Sequence, residues 1–200
     1  MPENLKPVLL HACCAPCSSA VIEWLSANGY HPTIFFANPN IFPKAEYNLR
    51  KKELIAYAAR FGYEVIDSDW DHDAWRAEVA GLEAEPERGK RCLVCFKYRL
   101  IKAARAAHEL SIPIFTTTLA SSRWKSIDQV REAGLYAQSL FKDVTFWDKN
   151  WRKDGLQERR NTLVKTLGFY NQKYCGCEFS MGHLTPEELS EVLSRSDTES

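Results

Sequence analysis

Three cysteines stand where a buried strand runs out and a helix begins, in Leu9-Leu10-His11-Ala12-Cys13-Cys14-Ala15-Pro16-Cys17-Ser18-Ser19. Pro7-Val8-Leu9-Leu10 is a short apolar run of the kind a buried parallel strand makes. Ser18 and Ser19 offer a hydroxyl cap ahead of Ala20 to Leu25, which is apolar at helical spacing. In open α/β sheets ligands bind at such a strand-to-helix turn, and the free N–H groups at the helix start favour anions such as thiolates. The turn therefore asks for a parallel sheet around it.

The rest of the chain supplies one. His31 to Asn40 reads as a second buried strand ending in an Asn-Pro-Asn turn. Lys44 to Phe61 is helical by pattern and is stopped by Gly62, and Tyr63 to Asp67 reads as a third strand. Asp69-Trp70-Asp71-His72-Asp73-Ala74-Trp75 is an acidic, aromatic turn opening a short helix. After a polar loop, a long amphipathic helix runs to Leu110, with Leu93, Phe96, Leu100, Ala103, Ala104 and Ala107 on one stripe. Ile112 to Leu119 reads as a strand, Ser126 to Ala133 as a helix, Phe141 to Trp147 as a strand and Leu156 to Leu167 as a last helix. Strands alternating with helices, without repeats or linkers, predict one α/β domain with a Rossmann-like parallel sheet flanked by helices. The expected boundaries are a domain over residues 1–185 and an acidic C-terminal tail over 186–200.

Two hundred residues with 45% hydrophobic content suffice for a core without disulfides or metals. Met1 to Lys6 is polar, with no long apolar run behind it, which predicts neither a secretory signal nor a membrane span and a cytosolic location. There, seven cysteines point to metal or redox chemistry rather than structural disulfides. Formal net charge is zero. Yet the tail holds Glu187, Glu188, Glu191, Asp197 and Glu199 against Arg195, leaving a body with 25 basic against 21 acidic residues and room for a basic face.

The cysteines form three clusters: Cys13-Cys14-x-x-Cys17, Cys92-x-x-Cys95 and Cys175-x-Cys177. A Cys-x-x-Cys at a helix start puts both sulfurs on one side, and two such sites together supply four thiolates, suited to tetrahedral zinc or a four-iron cluster. The alternative for any one cysteine is a small core residue. The Cys175-x-Cys177 ring is too small to cross-link distant parts, which suits a dithiol that shuttles electrons, or else a third arm of the metal site.

His11-Ala12-Cys13-Cys14-Ala15-Pro16-Cys17, Cys92-x-x-Cys95, Phe115-Thr116-Thr117-Thr118-Leu119, Trp151-Arg152-Lys153-x-Gly155 and Tyr174-Cys175-Gly176-Cys177 together resemble the cobalamin-independent epoxyqueuosine reductases, from about Val8 to Ser180. The resemblance implies a fold of the adenine nucleotide alpha hydrolase type. It implies reduction of epoxyqueuosine to queuosine at the wobble position of tRNA, a two-electron removal of the epoxide oxygen. It further implies a [4Fe-4S] cluster on Cys13, Cys14, Cys92 and Cys95, an additional iron beside it, a redox-active disulfide of Cys175 with Cys177, and an electron donor. Cys17 matches no cluster ligand: either it approaches the adjacent metal or it caps the helix. Ser122-Arg123-Trp124-Lys125 stands where a Ser-Pro-x-Lys-like turn is expected, and Tyr170-Asn171-Gln172 where many relatives carry a central Arg.

Candidates for a proton donor are Asp69, Asp71, His72, Asp73 and Tyr47, an acidic turn at a strand end being otherwise a helix cap or solvated loop. His11 reads as a structural histidine. For the nucleic acid, a rim is expected from Tyr47, Arg50, Lys125, Arg152 and Lys153, with further cations at Lys51, Lys52, Lys90, Arg91, Arg159 and Arg160 and aromatic Trp124, Trp147 and Trp151 among them. Singly, each has the alternative of a solvated helix face or a core tryptophan. Two other classes fit the composition: a zinc-stabilised RNA-binding module without catalysis, and a tRNA-thiolating adenylating enzyme on the same layered fold. Against the latter, the first turn lacks a Ser-Gly-Gly type loop to cradle phosphates.

Overall fold

Val8, Leu9, Leu10 and His11 are fully buried, because their strand is covered on both faces and both edges. In the computed structural model, which describes residues 5–122 and 124–195, this strand β1 (Lys6–His11) is the centre of a sheet. β2 (Tyr30–Phe36) and β3 (Val65–Asp67) lie on one side of it, β4 (Ile114–Thr117) and β5 (Thr145–Phe146) on the other. The order is β3-β2-β1-β4-β5 and every pairing is parallel, with Leu10 opposite both Ile34 and Thr116. Seven helices among the described residues flank the sheet: α1 (Ala15–Ala27), α2 (Lys44–Ala59), α3 (His72–Glu78), α4 (Lys90–Glu109), α5 (Ile127–Ser139), α6 (Leu156–Leu167) and α7 (Pro186–Ser194). The expected single-domain α/β architecture is present. None of the helices is long and apolar enough to cross a membrane.

The chain leaves β1 toward β2 on one side and reaches β4 on the other, so the carboxyl ends of β1 and β4 diverge into a crevice, the usual ligand position of such sheets. Local details differ from the sequence reading. α1 begins at Ala15, with Cys14 as its N-cap residue and Pro16 in its first turn, rather than at the Ser18-Ser19 hydroxyls. The fixed φ of a first-turn proline starts the helix early. Ser18 and Ser19 are then fully buried helical residues, and Ser18 Oγ donates to Thr118 Oγ1 (3.4 Å). Ile112 to Leu119 is strand only at Ile114–Thr117, since Thr118–Ser121 tightens into a 3-10 turn. Phe141 to Trp147 is strand only at Thr145–Phe146, and α5 runs on to Ser139 instead of Ala133.

The acidic stretch from Pro186 forms α7, opened by a capping box between Thr185 and Glu188. Val192 buries against Tyr174 and Met181. Asp197 and Glu199 lie outside the described residues.

Candidate metal centre and its cavity

Starting α1 at Ala15 places Cys14 and Cys17 three residues apart on one helical face, with Cys13 the last residue before the cap. The three sulfurs lie within 4.8 Å of one another, all buried, and Cys13 Sγ to Cys14 Sγ is 3.8 Å. Thr118, from the turn after β4, accepts from the Cys13 N–H (3.1 Å) and donates to its Sγ (3.4 Å). Cys14 Sγ donates to Gln172 Oε1 (3.4 Å). Hydrogen bonds from Cys14 and Cys17 hold the Cys13 thiol well below its usual range against the cost of burial. The same sharing pushes Cys14 well up and Cys17 up to about 12.

His11, one strand residue before this turn, is fully buried with Thr117 Oγ1 at 2.7 Å from Nδ1 and the Ala37 carbonyl at 3.1 Å from Nε2. Burial, reinforced by Arg99, pushes its imidazole down to about 3, so a neutral ring pins β1 to its neighbours. This is the structural role expected of it.

The second and third cysteine clusters meet each other. Cys95 and Cys177 pack together with Trp75 and Val79, and Cys92, Cys175 and Cys177 line a small cavity of about 20 Å³. Burial pushes Cys92 up to about 11 and Cys177 up to about 12. Among the described residues, the one group of three or more ligating side chains within metal distance is Cys13, Cys14 and Cys17, and it contains neither Cys92 nor Cys95. Between the two sets stands Lys125, 8% exposed, whose Nζ donates to Cys175 Sγ (3.6 Å). Burial alone would lower the Lys125 ammonium, but negative charge on the sulfurs of Cys175, Cys13 and Cys17 more than offsets it and holds it above its usual value. Cys175 and Lys125 line both the small cavity and a large one of about 760 Å³ whose wall includes Cys13, Cys14 and Cys17.

Cys175 is held by its backbone. Arg50 donates to the carbonyls of Cys175 (3.3 Å) and Tyr174 (3.5 Å) while its other edge meets the fully buried Glu46 at 2.6 Å. Gly176 turns the chain at φ +123°, and a Cβ there would stand 3.0 Å from Arg50 Nη1 and 3.2 Å from Ile41. Glycine is needed on both counts.

Of the expected rim, Arg50, Lys125 and Arg152 line the large cavity; Tyr47 and Lys153 do not. Tyr47 is buried, packed on Phe36 with its hydroxyl donated to Asp67, and Lys153 is exposed elsewhere. Lys51 pairs with Asp67 (2.6 Å), Arg91 is spent on the carbonyls of Leu82 and Glu83, and Arg159 meets Glu23 with two bonds (2.7 and 2.9 Å). Trp147 and Trp151 belong to an aromatic stack with Trp24, and Trp151 Nε1 donates to Thr116 Oγ1 (3.1 Å). Trp124 alone of the three tryptophans reaches the cavity.

None of the proton-donor candidates lines the cavity. Asp71 caps α3 by accepting from the Ala74 N–H (3.3 Å), Asp69 and Asp73 are exposed, and His72 stacks on Trp70 with its Nδ1 against the Pro39 carbonyl (2.7 Å). The sequence offers Asn38 only as part of the Asn-Pro-Asn turn and Gln172 only within Tyr170-Asn171-Gln172, and it does not single out Arg99. Arg99 lines the cavity from α4 and donates to the Ala37 carbonyl (3.2 Å) and to Asn38 Oδ1. The Asn-Pro-Asn turn after β2 was the available signal for Asn38; an arginine nine residues into an amphipathic helix gave none.

A family model described as "Epoxyqueuosine reductase QueH" matches residues 8–183. An "Epoxyqueuosine reductase QueH" of Haemophilus influenzae is 46% identical over 181 residues, spanning 90% of this chain and 74% of the relative. Proteins of the same name from Acinetobacter baylyi (44%, 98% of this chain and 89% of the relative) and Thermotoga maritima (32%, 87% and 90%) are similar over most of both lengths.

Proposed function

Because the chain belongs to the epoxyqueuosine reductase QueH family, an oxidoreductase family of tRNA modification, we propose that it reduces epoxyqueuosine to queuosine in tRNA at the cavity walled by Cys13, Cys14 and Cys17. The observation that carries this reading is a gathering of buried thiols on a cavity large enough for a modified nucleoside. Converting the epoxide to an alkene consumes two electrons and two protons and releases water. Oxidising the Cys175 and Cys177 thiols to a disulfide supplies that number of each, and an external donor then restores the dithiol.

The donor set suits iron and sulfur: it is all thiol, soft and without a carboxylate. In this reading Cys13 and Cys14, joined by Cys92 and Cys95 from the head of α4, hold a [4Fe-4S] cluster, and Cys17 holds an additional iron. When bound, such a centre passes single electrons and polarises a C–O bond. The chain's own residues do the rest. Lys125 keeps its proton at Nζ, balances the charge of the surrounding sulfurs and fixes Cys175 Sγ, while Arg50 fixes the Cys175 backbone. His11 stays neutral and holds the turn in register.

Anaerobic purification should give a brown protein with about four or more irons per chain; a colourless zinc protein overturns the reading. Cys175→Ser should retain that iron yet lose turnover of epoxyqueuosine tRNA by about a thousandfold or more. Full activity in that variant removes the redox pair from the proposal.

A further inference from the structure

The charges around the large cavity are one-sided, although the whole chain has a formal net charge of zero. Arg50, Arg99, Lys125, Arg152, Arg160 and Lys165 line it, and among the described residues no carboxylate does. Four of these cations are committed inside the fold. Arg50 serves Glu46 and two carbonyls, Arg99 serves Ala37 and Asn38, Lys125 serves Cys175, and Arg152 donates to the carbonyls of Ser122 and Lys125.

Arg160 and Lys165 are different. Both sit on α6, Lys165 exposed and Arg160 bonded only to the neighbouring Asn161 Oδ1 (3.1 Å) among the described residues. With Gln157, Asn161 and Val164 they recur three and four residues apart, so one polar, cationic stripe of the helix faces the cavity. The helix is anchored elsewhere: Leu156 and Leu163 are buried in the core, and Arg159 is tied to Glu23 of α1. From Gln157 to Lys165 the stripe extends about 12 Å along the axis, more than one phosphate needs.

We propose that this face of α6 is the track that holds consecutive phosphates of a single-stranded RNA loop, so that one base of the loop enters the cavity. Trp124 is 57% exposed, also lines the cavity, and stands on the turn that Arg152 ties to the start of α6. It supplies a stacking surface for a base beside the entering one. The inference rests on reading the cavity as an RNA substrate site, but it concerns docking and not reduction.

The test is binding of an unmodified anticodon stem-loop to the full-length protein by fluorescence anisotropy, measured across a salt series. In R160A/K165A the slope of log affinity against log salt should become shallower by about 1.4, two contacts at about 0.7 each for single strands. The control R105A/K142A removes the same charge from exposed positions off the cavity and should leave the slope unchanged. R160K/K165R should restore it. An unchanged slope in R160A/K165A, or an equal fall in the control, overturns the track. A nucleoside monophosphate that binds as tightly as the stem-loop and suffers the same loss also overturns it, in favour of a single-phosphate subsite. Because the probe carries no epoxide, a protein that docks RNA through α6 but fails to reduce epoxyqueuosine would sink the proposed activity alone.

Discussion

Glu53 is half-buried on α2, where one carboxylate oxygen accepts the Tyr170 N–H (2.6 Å) and the other is buried with no hydrogen-bond partner among the described residues. Burial raises its pKa above the ordinary 4.5, with the Tyr170 bond opposing. A raised folded-state carboxyl keeps its proton longer than the unfolded chain does, so its contribution to stability is lost as pH rises out of the mid-4s. Glu53→Gln keeps an acceptor for Tyr170 and removes the charge. Its stability relative to wild type, from urea melts at a series of pH values, should therefore climb as pH rises from about 4.5 and level off once the folded-state carboxyl is fully ionised. A difference that is flat with pH would mean that the carboxyl titrates as in water. The same scale explains what sequence alone can recover of the site. Cys13 and Cys14 are legible because a strand end and a cysteine pair coincide, whereas Gln172 and Arg99 act through partners more than sixty residues away. The committed cations Lys51, Arg91 and Arg159 look the same in sequence as Arg160; only the tertiary fold tells a spent charge from one facing a cavity.

At the scale of elements, the helix that α5 forms is easy to foresee and its close fit is not. Gly134 lies mid-helix, where alanine would add about 1 kcal/mol of helix propensity. A Cβ there would come within 2.2 to 2.4 Å of the Phe146 ring on β5. Gly134→Ala should therefore destabilise by about 1–3 kcal/mol, the cost of overpacking outweighing propensity; a calorimetric melt that rises instead would refute the contact. Alternating strand and helix patterns make β1 to β4 legible in kind and predict a parallel sheet, while the strand order is set by tertiary pairing. Their ends are less so: Ile112 to Leu119 is uniformly β-prone, but Thr117 Oγ1 accepts the Leu119 N–H (3.1 Å) and folds the next residues into a 3-10 turn. A proline in the first turn of α1 likewise outranks two serines that look like a cap.

For the whole molecule, α2, the Cys175 loop and the residue that follows α7 are tied together through Glu46. This fully buried carboxylate meets Arg50, which holds the Cys175 loop, and Arg195 just beyond α7, which also donates to the Tyr170 hydroxyl (2.9 Å). Arg195→Ala should cost about 1–3 kcal/mol, because it leaves a buried carboxylate oxygen less well satisfied. Chemical denaturation should record this as a lower midpoint at unchanged slope. A cost within error would show Arg50 to be a sufficient partner. The acidic run of α7 reads as an acidic C-terminal tail in sequence, since nothing local reveals that Arg195 closes on a glutamate 149 positions earlier. The crevice between β1 and β4 has a further consequence for how the protein is made. Cys13, Cys14 and Cys17 precede Gln172 and Cys175, which line the same cavity, by more than 150 residues of chain. A nascent chain on the ribosome thus carries Cys13, Cys14 and Cys17 on an unfinished sheet until β4 arrives to complete it. Until β4 pairs with β1, the Cys13 sulfur lacks the Thr118 hydroxyl that bonds it, and the three thiols stand open to oxidation.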